Sequence, residues 1–155
     1  MWEMYFDGAS SKEGAGDGVW VRSPDKVIYV HSFKRMFKCT NNVSEYEALM
    51  LGLGVLKEKG ATRICVKGDS ELVLIQFKGI YQAKNKRLRA YRNKVLELLE
   101  KFVEHELLVI PREQNNNADS LATAASNFKV PLEPSIKYEV EVRNRPVVPD
   151  NIENW

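Results

Sequence analysis

The order of patterns along this chain restricts its fold more than any single residue does. Three runs suited to strands come first: Met4 to Ala9, Val19 to Arg22 and Val27 to Phe33. The Gly/Ser-rich stretch from Gly8 to Gly18 is predicted to turn the chain between the first two, and Ser23-Pro24-Asp25-Lys26 between the second and third. Val27 to Phe33 is rich in β-branched and aromatic residues, as strands are. Strands joined this closely form an antiparallel meander. Helical periodicity then alternates with further apolar runs. Ser44 and Glu47 fit a capping box ahead of a stripe at Tyr46, Leu49, Met50 and Leu53, and Gly60 marks the stop. Arg63 to Val66 reads as a fourth strand, and Ser70 as the cap of a helix running toward Phe77. After Gly79, Leu88, Tyr91, Val95, Leu98 and Phe102 share one helical face. Leu107 to Ile110 reads as a fifth strand ended by Pro111, and Ala118 to Phe128 as a short Ala-rich helix. This order implies an α/β fold: a five-stranded mixed sheet, three antiparallel strands followed by parallel ones, flanked by helices.

The 155 residues suffice for one compact domain with a real core, expected over residues 1–129. From about Val130 the character changes. Pro131, Pro134, Pro146 and Pro149 fall in the last 25 residues, so 130–155 reads as a Pro-rich tail or linker. The net charge is only +2, so any affinity for nucleic acid has to come from how charge is distributed. Cys39 and Cys65 lack metal-ligand spacing and read as reduced, packed thiols. The opening Met-Trp-Glu-Met-Tyr-Phe-Asp lacks the basic and apolar regions of a secretion signal, and no run approaches membrane-spanning length. An intracellular protein, cytoplasmic or nuclear, is therefore expected. The Asn42-Val43-Ser44 sequon then reads as a chance match.

Four acids stand at the edges of the expected elements: Asp7, Glu45, Asp69 and Asp119. Three of them sit where an apolar run gives way to Gly or Ser, which is where a buried strand reaches the surface. In open α/β sheets, ligands bind beyond the carboxyl ends of strands, where Asp7 and Asp69 are expected. Any one Asp before Gly or Ser is ordinarily a turn or cap residue. Carboxylates that converge repel one another unless a cation neutralises them, and hard oxygen ligands suit magnesium or manganese. Four acids meeting in space would form a divalent-metal site suited to phosphate chemistry.

The motifs carrying these acids are Tyr5-Phe6-Asp7-Gly8, Thr40-Asn41-Asn42 followed by Glu45, Gly68-Asp69-Ser70, and Ala118-Asp119-Ser120-Leu121-Ala122. Together, in this order, they resemble the type 1 ribonuclease H family over roughly residues 2 to 128. The likeness is nearest to the ribonuclease H domain of plant gypsy-class LTR-retrotransposon polyproteins. The resemblance implies a ribonuclease H-like fold and an endoribonuclease that cuts the RNA strand of RNA–DNA hybrids, leaving 5′-phosphate and 3′-hydroxyl ends. It implies two Mg2+ ions, with Mn2+ as substitute, held by Asp7, Glu45, Asp69 and Asp119, with Asp7 bridging. The implied setting is reverse transcription, beside reverse transcriptase and integrase domains, with a monomer expected in isolation. Glu47 is the competing acid near Glu45 and reads as a capping or solvent-facing residue.

The same resemblance places substrate contacts on Gly8, Ala9 and Ser10, where small residues permit close backbone approach, and on Asn41 and Asn42. Choosing RNA needs contacts to the 2′-hydroxyl. The family's usual Gln two residues after the third acid is Glu71 here, with Gln76 one turn further on as a substitute. Lys84, Lys86, Arg87, Arg89, Arg92 and Lys94 form a run of one sign suited to a phosphate backbone, or to a solvated helix face. The mobile His found in many members about ten residues before the last acid falls on Val109; His31 and His105 read as surface or strand-end residues, and Arg112 is the candidate phosphate contact in its place. Two rival readings are a non-catalytic module of the same fold and a DNA-cutting relative such as a transposase or integrase core. The intact acids argue against the first and the Asn41-Asn42 pair against the second.

Overall fold

The structure, a computed structural model, describes residues 1–11, 14–37, 39–71, 86–128, 141–143 and 146–148, without the side chains of Ser11 and Val142. Strands β1 (Trp2–Ser11), β2 (Gly14–Arg22) and β3 (Ile28–Arg35) form the expected antiparallel meander. Helix α1 (Asn41–Glu58) leads to β4 (Arg63–Gly68), then α2 (Lys86–Leu99), β5 (Glu104–Val109), a 3-10 turn at Arg112–Gln114 and α3 (Asn116–Asn127). β4 lies parallel to β1 and β5 parallel to β4. The five expected strands are present, and Glu141–Arg143 adds a short β6 parallel to β3, giving the order β5-β4-β1-β2-β3-β6. The helix expected from Ser70 toward Phe77 falls mostly outside the described residues.

Three local expectations are corrected. The Gly/Ser-rich stretch is not a turn over its length, because β1 runs on to Ser11 and β2 begins at Gly14. Gly18 sits within β2 because α3 lies directly on it: a Cβ there would meet the Ala118 carbonyl oxygen at 2.1 Å. Secondly, α1 is capped by Thr40, whose hydroxyl accepts from the Val43 N–H at 3.3 Å. Ser44 is not the cap because Arg35 captures its hydroxyl inside the fold. Thirdly, Glu47 is neither a cap nor solvent-facing. It is 2% exposed, accepting from the Tyr91 hydroxyl at 3.2 Å and the Val147 N–H at 2.7 Å.

Helix α1 is held by packing rather than by propensity. Gly52 and Gly54 each cost about 1 kcal/mol relative to Ala in a helix. Burial of Leu49, Leu53 and Leu56 offsets this, at roughly 1.5–3 kcal/mol per side chain. The stop at Gly60 is as expected: with φ at +81° it closes a Schellman motif, its N–H donating to Lys57 O and that of Ala61 to Leu56 O. The core joins Met4, Phe6, Val19 and Ile64 of the sheet to Tyr46, Leu49, Leu53, Tyr91, Val95 and Leu99 of α1 and α2. Helix α3 instead buries Ala118, Ala122 and Ala125, small residues that let it approach β2 closely.

Past the last helix, the described residues of the C-terminal segment pack on the domain. The Met36 N–H donates to Arg143 O at 2.8 Å, Arg87 Nη2 donates to Val148 O at 3.1 Å, and Val148 is fully buried. Behind α1, Arg35 and Asp17 form an ion pair at 2.9 Å, both about 1% exposed or less. Burial pushes the Asp17 carboxyl up to about 7 against the pull of Arg35. Cys39 and Cys65 are free thiols. Among the described residues no helix is long and apolar enough to cross a membrane.

Candidate active site

β1 is the central strand from which the chain first builds outward through β2 and β3, then returns to add β4 on the other side. That reversal opens a crevice at the carboxyl end of β4, near the usual ligand position in open α/β sheets. Asp7, expected at a strand end, instead sits mid-strand because β1 stays paired with β2 as far as Ser11. Asp7 projects there from β1, and Asp69 follows the last residue of β4. Glu45 comes from the second turn of α1, and Asp119 from the first turn of α3. Gly8 lets α1 come close enough to bring Glu45 in, since a Cβ there would meet Ser44 Oγ at 2.4 Å. The Gly8 N–H donates to Glu45 Oε1 at 3.4 Å.

Asp7, Glu45 and Asp69 each place a carboxylate oxygen within 4.8 Å of the others. Asp119 lines the same crevice as these three. Burial, and then the charge of Asp69, pushes Asp7 up to about 7. Burial, followed by Asp7 and Asp69, pushes Glu45 up to about 9. Such a group of acids is costly to ionise unless positive charge is supplied. Oxygen-only donors, gathered and part-buried, suit a hard divalent cation such as Mg2+ or Mn2+. Asp7, Glu45 and Asp69 therefore fit a divalent-metal site, with Asp119 on the wall of the same crevice.

The crevice is lined by Asp7, Gly8, Ala9, Ser10, Asn41, Ser44, Glu45, Asp69, Arg112, Asp119 and Thr123. It thus brings together all four acids, the small residues after Asp7, Asn41 and Arg112. Asn42 is half-buried and does not line it. Glu71 is exposed beside Asp69 and Arg112 in an adjoining depression. Gln76 and Lys84 lie outside the described residues. On α2, Lys86 and Arg89 are exposed, whereas Lys94 pairs with Glu97 at 3.7 Å. Arg87 turns toward the C-terminal segment, its guanidinium bonded to Val148 O and 5.8 Å from the centre of the Tyr91 ring. His31 stacks on Phe33 within β3 and His105 is exposed on β5; neither lines the crevice.

One residue of the site was missed. Asn115, which lies between the expected fifth strand and the final helix, is 1% exposed and bonded to Asp69. Its spacing of four from Asp119, just before an Ala-rich helix, was the available signal.

A family model described as reverse transcriptase-like matches residues 5–125. Ribonuclease HI of Halobacterium salinarum is 36% identical over 123 residues, 78% of this chain and 62% of that protein. The bifunctional protein Rv2228c of Mycobacterium tuberculosis is 33% identical over 112 residues, 72% of this chain and 30% of that protein. The chain thus spans less than two thirds of either relative's length. Among solved structures, RNase H1 of Halobacterium salinarum superposes with a TM-score of 0.75 at 34% identity, covering 80% of this chain and 96% of that one. LC11-RNase H1, solved in complex with an RNA/DNA hybrid, gives 0.73 at 30% identity, covering 82% and 97%. With the matched fold, the matched span and the four acids in one crevice, the chain belongs to the type 1 ribonuclease H family.

Proposed function

We propose that this protein is a divalent-metal-dependent endoribonuclease that hydrolyses the RNA strand of RNA–DNA hybrids. The observation that carries the reading is the convergence of three carboxylates within 4.8 Å in an open crevice, with Asp119 on its wall. The hybrid bound in the LC11-RNase H1 structure supports the choice of substrate. Asp7, Glu45, Asp69 and Asp119 would hold two cations, Mg2+ by preference with Mn2+ as substitute. What such cations supply when bound is Lewis acidity at the scissile phosphate.

The chain's own residues do the rest. Burial and neighbouring acids raise Asp7 and Glu45, so positive charge supplied by a bound cation favours their ionised forms. Gly8, Ala9 and Ser10 form a side-chain-poor wall against which a nucleic-acid backbone can lie close. Asn41, exposed on the lining of the crevice, offers both a donor and an acceptor to a ribose 2′-hydroxyl. Arg112 carries positive charge to the rim, where it screens a phosphate on entry. Exposed Lys86 and Arg89 extend that charge along α2.

The four motifs further support a retroelement origin, with work in reverse transcription beside reverse transcriptase and integrase domains. In that setting the protein would act inside the cell, be monomeric when isolated, and carry its catalytic residues within 1–129, with 130–155, parts of which pack on that domain, leading onward. A defined hybrid compared with the all-DNA duplex of the same sequence tests the substrate assignment. The hybrid should be cut at the RNA strand and the DNA duplex left intact; efficient cutting of the duplex would favour the DNA-cutting rival.

A further inference from the structure

The parallel register of β1 and β4 ends at Tyr5↔Lys67, so the two strands lose contact just before the residues that carry Asp7 and Asp69. The side chain of Asn115 enters at this point. Its Nδ2 donates to Phe6 O at 2.9 Å and to Asp69 Oδ2 at 3.0 Å. The Phe6 carbonyl can only accept, which fixes the amide with its nitrogen toward it. A primary amide has two N–H donors, and both are used: one on the peptide joining Phe6 to Asp7, the other on the Asp69 carboxylate. The main chain of the same residue adds a third link, its carbonyl accepting from the Asp119 N–H at 3.0 Å. One residue therefore connects the positions of three of the four acids.

We infer that Asn115 is a positioning residue for the metal-binding carboxylates, an assignment that rests on the reading of the crevice as a metal-dependent ribonuclease site. It holds the Phe6–Asp7 stretch of β1 at a fixed separation from the carboxyl end of β4 beyond the point where their paired register stops. It also fixes which oxygen of Asp69 stays free to face the crevice, because Oδ2 is engaged. Partners that orient a metal ligand typically contribute 10–100-fold in metal affinity. No shorter or acidic side chain reproduces the fork. Ala supplies no donor and Ser supplies one.

The test uses the full chain, with Asn115→Ala and Asn115→Ser beside the parent. Mn2+ binding is followed by electron paramagnetic resonance without nucleic acid, melting is followed in EDTA, and hybrid cleavage is followed against Mg2+ concentration. For Asn115→Ala, Mn2+ affinity should fall about tenfold or more, and the half-saturating Mg2+ should rise by a similar factor. KM for the hybrid at saturating metal should change less than about threefold, and Asn115→Ser should fall between parent and Ala. If Asn115→Ala fails to fold, Asn115→Ser carries the comparison. Lowered melting with parental Mn2+ affinity and parental half-saturating Mg2+ would overturn the assignment and make Asn115 a structural residue only. A parent that binds no Mn2+ and cuts no hybrid would overturn the ribonuclease reading itself, and the assignment with it.

Discussion

Replacing Asp7 by Asn should stabilise the metal-free protein, although it removes a residue assigned to the reaction. Asp7 is 6% exposed, and its pKa is raised from 3.8 to about 7 by burial and by Asp69. A raised carboxyl pKa means that the folded state holds its proton where the unfolded chain has lost it. Stability therefore falls as pH rises from the unfolded value through the folded one. At ~1.4 kcal/mol per pH unit across that window, the cost near pH 7.5 is on the order of 4 kcal/mol. An Asn of the same shape removes this cost but keeps a polar amide in a crowded place, which takes back ~1–2 kcal/mol. A net gain of ~2 kcal/mol corresponds to a rise in Tm of about 4–8 °C for a domain of this size. The assay is thermal unfolding in EDTA by circular dichroism, for parent and Asp7→Asn, near pH 7.5 and near pH 4. The gain should be present at the higher pH and turn into a loss of about 1 kcal/mol at the lower. There the folded Asp7 is protonated, the unfolded carboxyl is only partly ionised, and the amide penalty remains. Asp17, also pushed up to about 7, is common to both proteins and cancels in the difference. Mg2+ should raise the parent's Tm and leave that of the variant nearly unchanged. An Asp7→Asn variant no more stable than the parent in EDTA near pH 7.5 would refute the view that these carboxylates are held together at a cost which cations relieve.

Two other perturbations test the frame around the site. Arg35→Ala leaves Asp17 buried without its partner and frees the Ser44 hydroxyl, so denaturant unfolding should show a loss of about 3–5 kcal/mol. Removing residues 130–155 uncovers the β3 edge, exposes the surroundings of Val148 and deprives buried Glu47 of the Val147 N–H. Thermal unfolding should register a loss of roughly 2–4 kcal/mol, and an unchanged Tm would show that the segment is not part of the folded domain.

What could be read from the sequence follows the range of the forces involved. Asp69 was legible because a strand end followed by Ser is a local pattern, and Gly60 because a helix stop is one too; Asp7 was legible by its motif, although β1 runs on past it to Ser11. Glu45 could be chosen over Glu47 by its motif, but the fate of Glu47 could not be seen. Its partners Tyr91 and Val147 lie 44 and 100 residues away. The role of Asn115 could not be seen because its partners Phe6 and Asp69 stand 109 and 46 residues from it. Gly18 looked like turn material because the helix that requires it arrives about a hundred residues later. Thr40 and Ser44 are both cap-type residues; what decides between them is Arg35, which takes the Ser44 hydroxyl into the buried ion-pair network. Arg87 belonged to a run of like charge, yet its place is set by a carbonyl in the C-terminal segment.

The central claim is that the four acids form a working metal-dependent hydrolytic site, and cleavage of a defined RNA–DNA hybrid tests it most directly. With Mg2+ the parent should cut the RNA strand and leave 5′-phosphate and 3′-hydroxyl ends. Omitting the metal, or changing Asp69→Asn, should abolish cutting while the protein stays folded. Equal and negligible cleavage by the parent and Asp69→Asn in the presence of Mg2+ would contradict the account.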